Sequence, residues 1–379
     1  MKKLKNFRLN QYVSYIVLTI VTVVFSIMAL SDQLDSSMLF LLEKISVSII
    51  LAVSLSVVVG FLGELSLGHA GFMCIGAYIS GKVASLLEPH LGSNETLNLI
   101  ICLVIGGCVA ALCGVIIGIP ALRLRGDYLA IVTLAFGEIV RSIFRNTSDE
   151  SFGGTRGLDT PRFDKQYLFI FGFIMVLFTI FVVQNFIRSK HGRAVTAIRD
   201  NEIAARACGI NVTKYKLLAF IISAFFAGIA GTLYSFGNYT VQSSNFSYNY
   251  SIEILVMVVL GGMGNINGAI ISATLITYLD AKLANVLTGD LAVLQNLVYA
   301  IILIIIVIYN NAPKLKSFRD RYSLSVLLSK LVKHDPSKVT DDAAKWDVVP
   351  TKIQMDEILS VDMKAQNLGP DKEGDDGNA

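Results

Sequence analysis

At 379 residues, with 54% hydrophobic and only 16% charged side chains, the chain carries more apolar surface than one soluble core can hide. Lipid is therefore its expected main solvent. A net charge of +3, spread over loops beside apolar blocks, argues against a nucleic-acid-binding face.

The apolar blocks approach the roughly 20 residues that a helix needs to cross hydrocarbon, and they lack the alternation of outer-membrane strands. The expected fold is all-α, a polytopic transmembrane helical bundle of about 8–10 membrane segments. The start of the chain is basic up to Arg8 and leads into an apolar stretch over residues 12–30. That stretch is longer than a signal-peptide core and ends in a poor cleavage site, Ala29-Leu30-Ser31, so it reads as a retained first span.

Further blocks follow at residues 40–62, 71–87, 97–119, 128–144, 167–187, 217–236, 252–279 and 291–308. The loops at 31–37 and 88–96 lack Lys and Arg, whereas Arg123, Arg125 and the segment 188–216 are basic. The positive-inside rule then places both termini in the cytoplasm. The loop 145–166 is expected outside, although it carries Arg145, Arg156, Arg162 and Lys165 beside Asp149, Glu150, Asp159 and Asp164.

Simple crossings of all these blocks would leave the tail outside, yet Lys314, Lys316, Arg319 and Arg321 call for it inside. Block 252–279 is the one expected not to cross singly. Gly261-Gly262-Met263-Gly264-Asn265-Ile266-Asn267-Gly268 separates two arms, each too short to span, which predicts a re-entrant hairpin or a broken helix. The same glycines suit close helix packing, and both readings stay open here.

The organisation expected is a membrane domain over 1–310, a cytoplasmic loop within it at 188–216, and a cytoplasmic, largely flexible tail at 311–379. In that tail, residues 322–332 have amphipathic character, and Trp346, Val348, Val349 and Ile353 form a small apolar group. Cys74, Cys102, Cys108, Cys113 and Cys208 show neither paired nor metal-ligand spacing and read as small packing residues.

The most informative stretch is the loop. Asp200 or Asn201 can cap a short helix, Ala204 and Ala205 leave one side of it bare, and Gly209 can end it. Gly192, Arg193, Arg199 and Arg206 surround it, giving a knob suited to a groove on a soluble partner. Charge alone would indicate no more than an ordinary positive-inside loop.

The glycine and alanine spacing resembles the coupling-loop signature of ABC importer permeases: Glu202, Ala204, Ala205 and Gly209 match, with Ile203 inserted. Other stretches carry the resemblance further. They are Gly63-Glu64-Leu65-Ser66-Leu67-Gly68-His69-Ala70-Gly71-Phe72, the run from Leu122 through Asp127 and Thr133 to Glu138, and Leu260-Gly261-Gly262-Met263-Gly264. Together they are similar to the M-type subunit of the branched-chain amino-acid permeases.

That resemblance implies a heterodimer with an H-type permease, two cytoplasmic ATPase subunits and an extracytoplasmic amino-acid-binding protein. It implies no cofactor on this chain, with ATP and Mg on the ATPase subunits. In agreement, the sequence has no Gly-rich loop with Lys-Ser/Thr of its own. The tail departs from the family, whose members usually end soon after the last span.

Candidate pathway residues are Glu64, Ser66, His69, Asp127, Thr133, Glu138, Gly261, Gly262 and Gly264, since ionisable groups and broken backbone in a membrane mark routes. For Glu64, Ser66 and His69 the competing reading is interfacial anchoring. Asp127 and Glu138 lie eleven apart and so share a helix face, with Arg141 a turn beyond, where a Glu138–Arg141 pair would lock helices together. An ion-driven secondary transporter would also show broken helices but needs no docking knob. An intramembrane hydrolase using Ser66 and His69 lacks the Gly-x-Ser-x-Gly elbow.

Overall fold

The computed structural model describes residues 18–26, 28, 31, 35–91, 94–124, 126–161, 163–286, 301 and 304. Most of the first and last apolar blocks and the whole tail, including 322–332 and the group around Trp346, lie outside the described residues. So does the placement of both termini.

Helix α1 (Ser36–Ser56) begins at Asp35, whose carboxylate accepts from the Ser36 amide at 2.9 Å. It runs without a break into a π-helical turn, Val57–Leu62, which stops at Gly63 with φ 79°. Helices α2 (His69–Leu91), α3 (Glu95–Ala121) and α4 (Asp127–Asn146) follow, then the short α5 (Asp149–Phe152) and strand β1 (Leu158–Asp159). Next come α6 (Lys165–Arg188), α7 (Lys190–Asp200), α8 (Glu202–Ala207) and α9 (Val212–Gly237). Strand β2 (Thr240–Val241), a 3-10 turn (Ser243–Phe246), α10 (Tyr248–Gly261) and α11 (Ile266–Val286) complete the described chain.

Among the described residues five helices are long and apolar enough to cross a membrane: Ser36–Leu62, His69–Pro89, Glu95–Ala121, Tyr167–Arg188 and Val212–Gly237. The first is 94% buried over its apolar window and Glu95–Ala121 only 33%, so α1 is an inner helix and α3 a peripheral one. With lipid as solvent there is no hydrophobic drive between helices, so association rests on van der Waals packing and hydrogen bonds, which small residues bring to close range. At Gly76 a Cβ would run into the Gly228 backbone, and at Gly231 into the Met73 carbonyl. These glycines let α2 and α9 touch backbone to backbone, and Gly106 gives Thr232 the same access to α3.

The broken block is a helical hairpin. Gly262 and Gly264, with φ of 89° and 82°, turn the chain between α10 and α11. Gly268 packs on the Gly261 carbonyl, and Ser272 donates to the Met257 carbonyl. Each contact pairs a position four residues further from the turn on both arms, so the arms run antiparallel. Close packing and chain reversal are thus both served by these glycines. With 14 residues, α10 is too short to span at about 21 Å, but α11 has 21 residues and reaches about 31 Å. Length alone would let α11 cross, but it is not apolar enough to stand among the five candidate spans, so neither arm is a full apolar span, as the sequence predicts. The polar end of α11 is satisfied by an ion pair between Asp280 and Lys44 (2.8 Å), which lets the helix continue past the point where hydropathy fades.

The contacts sort the loops into two ends. At one end lie α7 and α8, the Gly63 turn and the hairpin tip. At the other, β1 pairs antiparallel with β2 through Leu158–Val241 and Asp159–Thr240, and Lys82 donates to the Glu150 carbonyl at 3.1 Å.

Candidate coupling surface and membrane interior

The loop between α6 and α9 is two helices rather than one short one. Ser189 caps α7 by accepting from the His191 and Gly192 amides, and Gly192 has no room for a Cβ against the Ile187 backbone. Gly192 therefore sets the α6–α7 corner and is buried, while Arg193 is exposed. Asn201 caps α8, its side chain accepting from the Ala204 amide at 3.0 Å. Asp200 instead ends α7 and pairs with Arg199 at 3.0 Å. Gly209 closes the unit in the left-handed region, φ 80°.

The bare side of α8 differs from the expected one. Ala205 is 4% exposed and packs inward, while Ala204 stays outside. The prominent apolar group is Ile203, 78% exposed at the tip of the loop, the residue that stood as an insertion in the motif.

Two charged residues expected to face a partner point at the membrane helices instead. Glu202 accepts from Arg206 at 2.6 Å and from Lys216 at 3.1 Å, and Lys216 also bonds Glu64 at 2.5 Å. The Lys216 side chain is only 4% exposed. Arg199 donates to the Gly60 carbonyl at 3.1 Å and lies over Gly63, where a Cβ would fall 2.6 Å from its Cγ. Gly60 in turn abuts the hairpin tip, its would-be Cβ 2.5 Å from the Gly264 amide. Gly261, Gly262 and Gly264 are thus drawn to the α7–α8 end, beside Arg199.

The remaining candidates do not form one cluster. Glu64 belongs with Glu202 through Lys216. His69 is 2% exposed, with its Nε2 2.8 Å from Ser54 Oγ, and Ser66 is buried apart from it in hydrogen bonding. The geometry gives no Ser66–His69 pair. Thr133 is fully buried and accepts from the Leu67 amide at 3.0 Å, with Gly68 against its backbone, so it pins the Ser66–His69 turn to α4.

Asp127 is exposed in the first turn of α4, where the helix N-terminus favours a carboxylate, and it lies three turns from Glu138. Glu138 pairs with Arg141 at 3.0 Å and accepts from the Tyr248 amide at 3.0 Å. A carboxylate on α4 therefore caps the first arm of the hairpin. The pair is partly exposed, not buried as a lock would be. All five cysteines are free. Cys74 and Cys102 are buried, Cys113 is intermediate, and Cys108 and Cys208 are exposed, so not all serve packing.

Sequence reasoning passed over Lys216, Glu43, Lys44 and Asp280. The signal was present: each is an ionisable residue within or bordering an apolar block, which is costly unless paired.

The sequence model of the family described as branched-chain amino acid transport system / permease component matches residues 37–307. The high-affinity branched-chain amino acid transport system permease protein LivM of Salmonella typhimurium is 39% identical over 260 residues, 60% of this chain and 59% of its own length. Its Escherichia coli counterpart is 38% identical over 259 residues, with the same coverage. The chain thus spans about three fifths of these relatives. The ribose import permease protein RbsC of Escherichia coli is 25% identical over 295 residues, 72% of this chain and 84% of that protein. No solved structure matches. With most of its length matched and five described helices long and apolar enough to cross a membrane, the chain is a multi-pass membrane protein that belongs to the branched-chain amino acid transport system permease family.

Proposed function

We propose that the chain is the M-type permease subunit of an ATP-binding-cassette importer that carries branched-chain amino acids across the cytoplasmic membrane. It is a transport subunit and not an enzyme. It pairs with an H-type permease subunit, rests on two cytoplasmic ATPase subunits that hold ATP and Mg, and receives substrate from an extracytoplasmic binding protein. It binds no cofactor itself. The α7–α8 end faces the cytoplasm with both termini, and the β1–β2 end faces outward.

The observation that carries this is Ile203, an isoleucine 78% exposed on a polar loop that is itself anchored to the membrane helices. An apolar tip on a rigid support is what a soluble partner can bury, and a few fully desolvated side chains supply most of an interface's energy. Ile203, Ala204 and Gly209 form the dock, Arg193 lies beside it, and Gly192, Arg199, Glu202 and Ala205 hold it in place. Support for the substrate comes from the two LivM relatives, which are named for branched-chain amino acids. The ribose permease relative favours a second reading, an importer of another small polar solute.

Glu64, Gly261, Gly262 and Gly264 then act where movement of the dock reaches the bundle. Ser66, His69, Asp127, Thr133 and Glu138 set helix positions along the pathway. The test is purification of the chain from its native cells. An ATPase subunit should co-purify with the parent chain and be lost with Ile203→Asp, while recovery of either chain alone from both strains would refute the assignment.

A further inference from the structure

The end of the bundle opposite the α7–α8 loop holds a cavity of 270 Å³ between α1, α2, α9, the 3-10 turn and α10. None of the pathway residues singled out from sequence lines it. Its walls are of two kinds. Glu43, Lys44, Asn238 and Asn245 present charged and amide groups, while Phe40, Val47, Met73 and Phe246 present apolar surface.

Glu43 is 4% exposed. Its carboxylate occupies the space above Gly237, where any Cβ would collide with it, so the chain is built to admit a carboxylate there. The neighbouring Lys44 ammonium is held at 2.8 Å by Asp280 of α11, which lies outside the cavity lining. A second cavity of 330 Å³, lined by both members of that pair, shares Phe40 and Lys44 with the first.

We propose that the first cavity binds a zwitterionic α-amino acid with an apolar side chain. The ammonium docks on Glu43, the carboxylate is received by Lys44, and the side chain packs on Val47, Met73 and Phe246. A free α-amino acid carries its two opposite charges on groups bonded to one carbon, and this cavity offers an acid and a base, Glu43 and Lys44, in the same lining. The volume lies just below the ~300–1,000 Å³ usual for small-molecule sites, as suits a ligand as small as one amino acid.

Because Lys44 also holds Asp280, a bound carboxylate would compete with the second arm of the hairpin, whose tip abuts Gly60 beside Arg199. Occupancy of the cavity would thereby bias the same hairpin that meets the coupling loop. This proposal rests on reading the chain as an amino-acid importer and names the site at which that substrate is held.

The test is saturation-transfer NMR on the full chain in lipid nanodiscs, with L-leucine, leucinamide and 4-methylpentanoate as probes and ribose as a control. Leucine methyl protons should show transfer. Leucinamide and 4-methylpentanoate, each lacking one of the two charges, should bind at least about tenfold more weakly, the usual cost of one lost charge-assisted hydrogen bond. Glu43→Gln, Lys44→Met and Gly237→Ala should each weaken leucine by a similar factor. Glu43→Asp, which keeps the charge, should retain more binding than Glu43→Gln and so separates a lost ligand contact from a misfolded chain.

Absence of leucine transfer in the parent chain would overturn the site, as would equal transfer in Glu43→Gln and Lys44→Met or equal binding of leucinamide. Uptake in native cells distinguishes the two levels. Leucine binding without dependence of leucine uptake on the gene would leave the site and remove the importer reading. Gene-dependent uptake without binding would do the reverse.

Discussion

The Lys216 ammonium at the start of α9 lies 2.5 Å from the Glu64 carboxylate in the turn after α1, and the same ammonium binds Glu202 of α8 at 3.1 Å. One buried cation thus fastens the loop to the two helices beneath it. Lys216→Met would leave the Glu64 carboxylate partly buried without its cation and Glu202 still paired with Arg206, a loss of about 3–5 kcal/mol for a broken buried pair. Expected is a clear fall in the thermal unfolding temperature of the purified chain, partly restored when Glu64→Gln is added. An unchanged midpoint in Lys216→Met would show that the network contributes no stability.

Ile203→Asp places a charge on the most exposed apolar position of the loop without touching the anchor at Lys216. The variant should insert and accumulate as the parent chain does. Its retention of ATPase partner should fall at least about tenfold, as for loss of a central apolar contact. Equal retention would move the dock elsewhere.

The hairpin has a topological consequence. Lys282 is exposed near the end of α11 and Cys208 is exposed on the loop between α8 and α9. In a chain with the other cysteines replaced, Lys282→Cys should react with a membrane-impermeant maleimide from the side opposite to Cys208. Labelling of both from one side would mean that block 252–279 crosses singly.

Gly231 faces the Met73 carbonyl with no space for a side chain. Gly231→Leu should force α2 and α9 apart, costing at least the 1–3 kcal/mol typical of overpacking. The expected readout is loss of monodisperse protein in size-exclusion chromatography, whereas Gly126→Ala, at a site open to space, should cost only its backbone strain.

Much of the architecture is legible in the sequence because hydropathy reports which segments lipid accepts. Blocks 40–62, 97–119, 167–187 and 217–236 all appear as helices, longer by a few residues where capping groups such as Asp35 and Asn211 extend them. The glycine run from Gly261 to Gly268 gives away the break because no uninterrupted span would place so many glycines together. Orientation of side chains is another matter. Arg199 and Glu202 look like partner-facing charges in the sequence, and only the fold brings Gly60 and Lys216 beneath them. Glu43 and Lys44 are hidden by the same averaging that reveals their block, since two charges barely lower its mean hydropathy. Ile203 reads as a flaw in a motif until α8 turns it outward.

The central claim is tested most directly by uptake of labelled leucine, isoleucine and valine in native cells with the gene deleted, restored, or restored as Gly209→Asp. Loss of branched-chain uptake in the deletion, its return with the parent gene, and failure to return with a normally inserted Gly209→Asp chain are predicted. Full branched-chain uptake in the deletion, in cells with no second importer for these amino acids, would contradict the assignment.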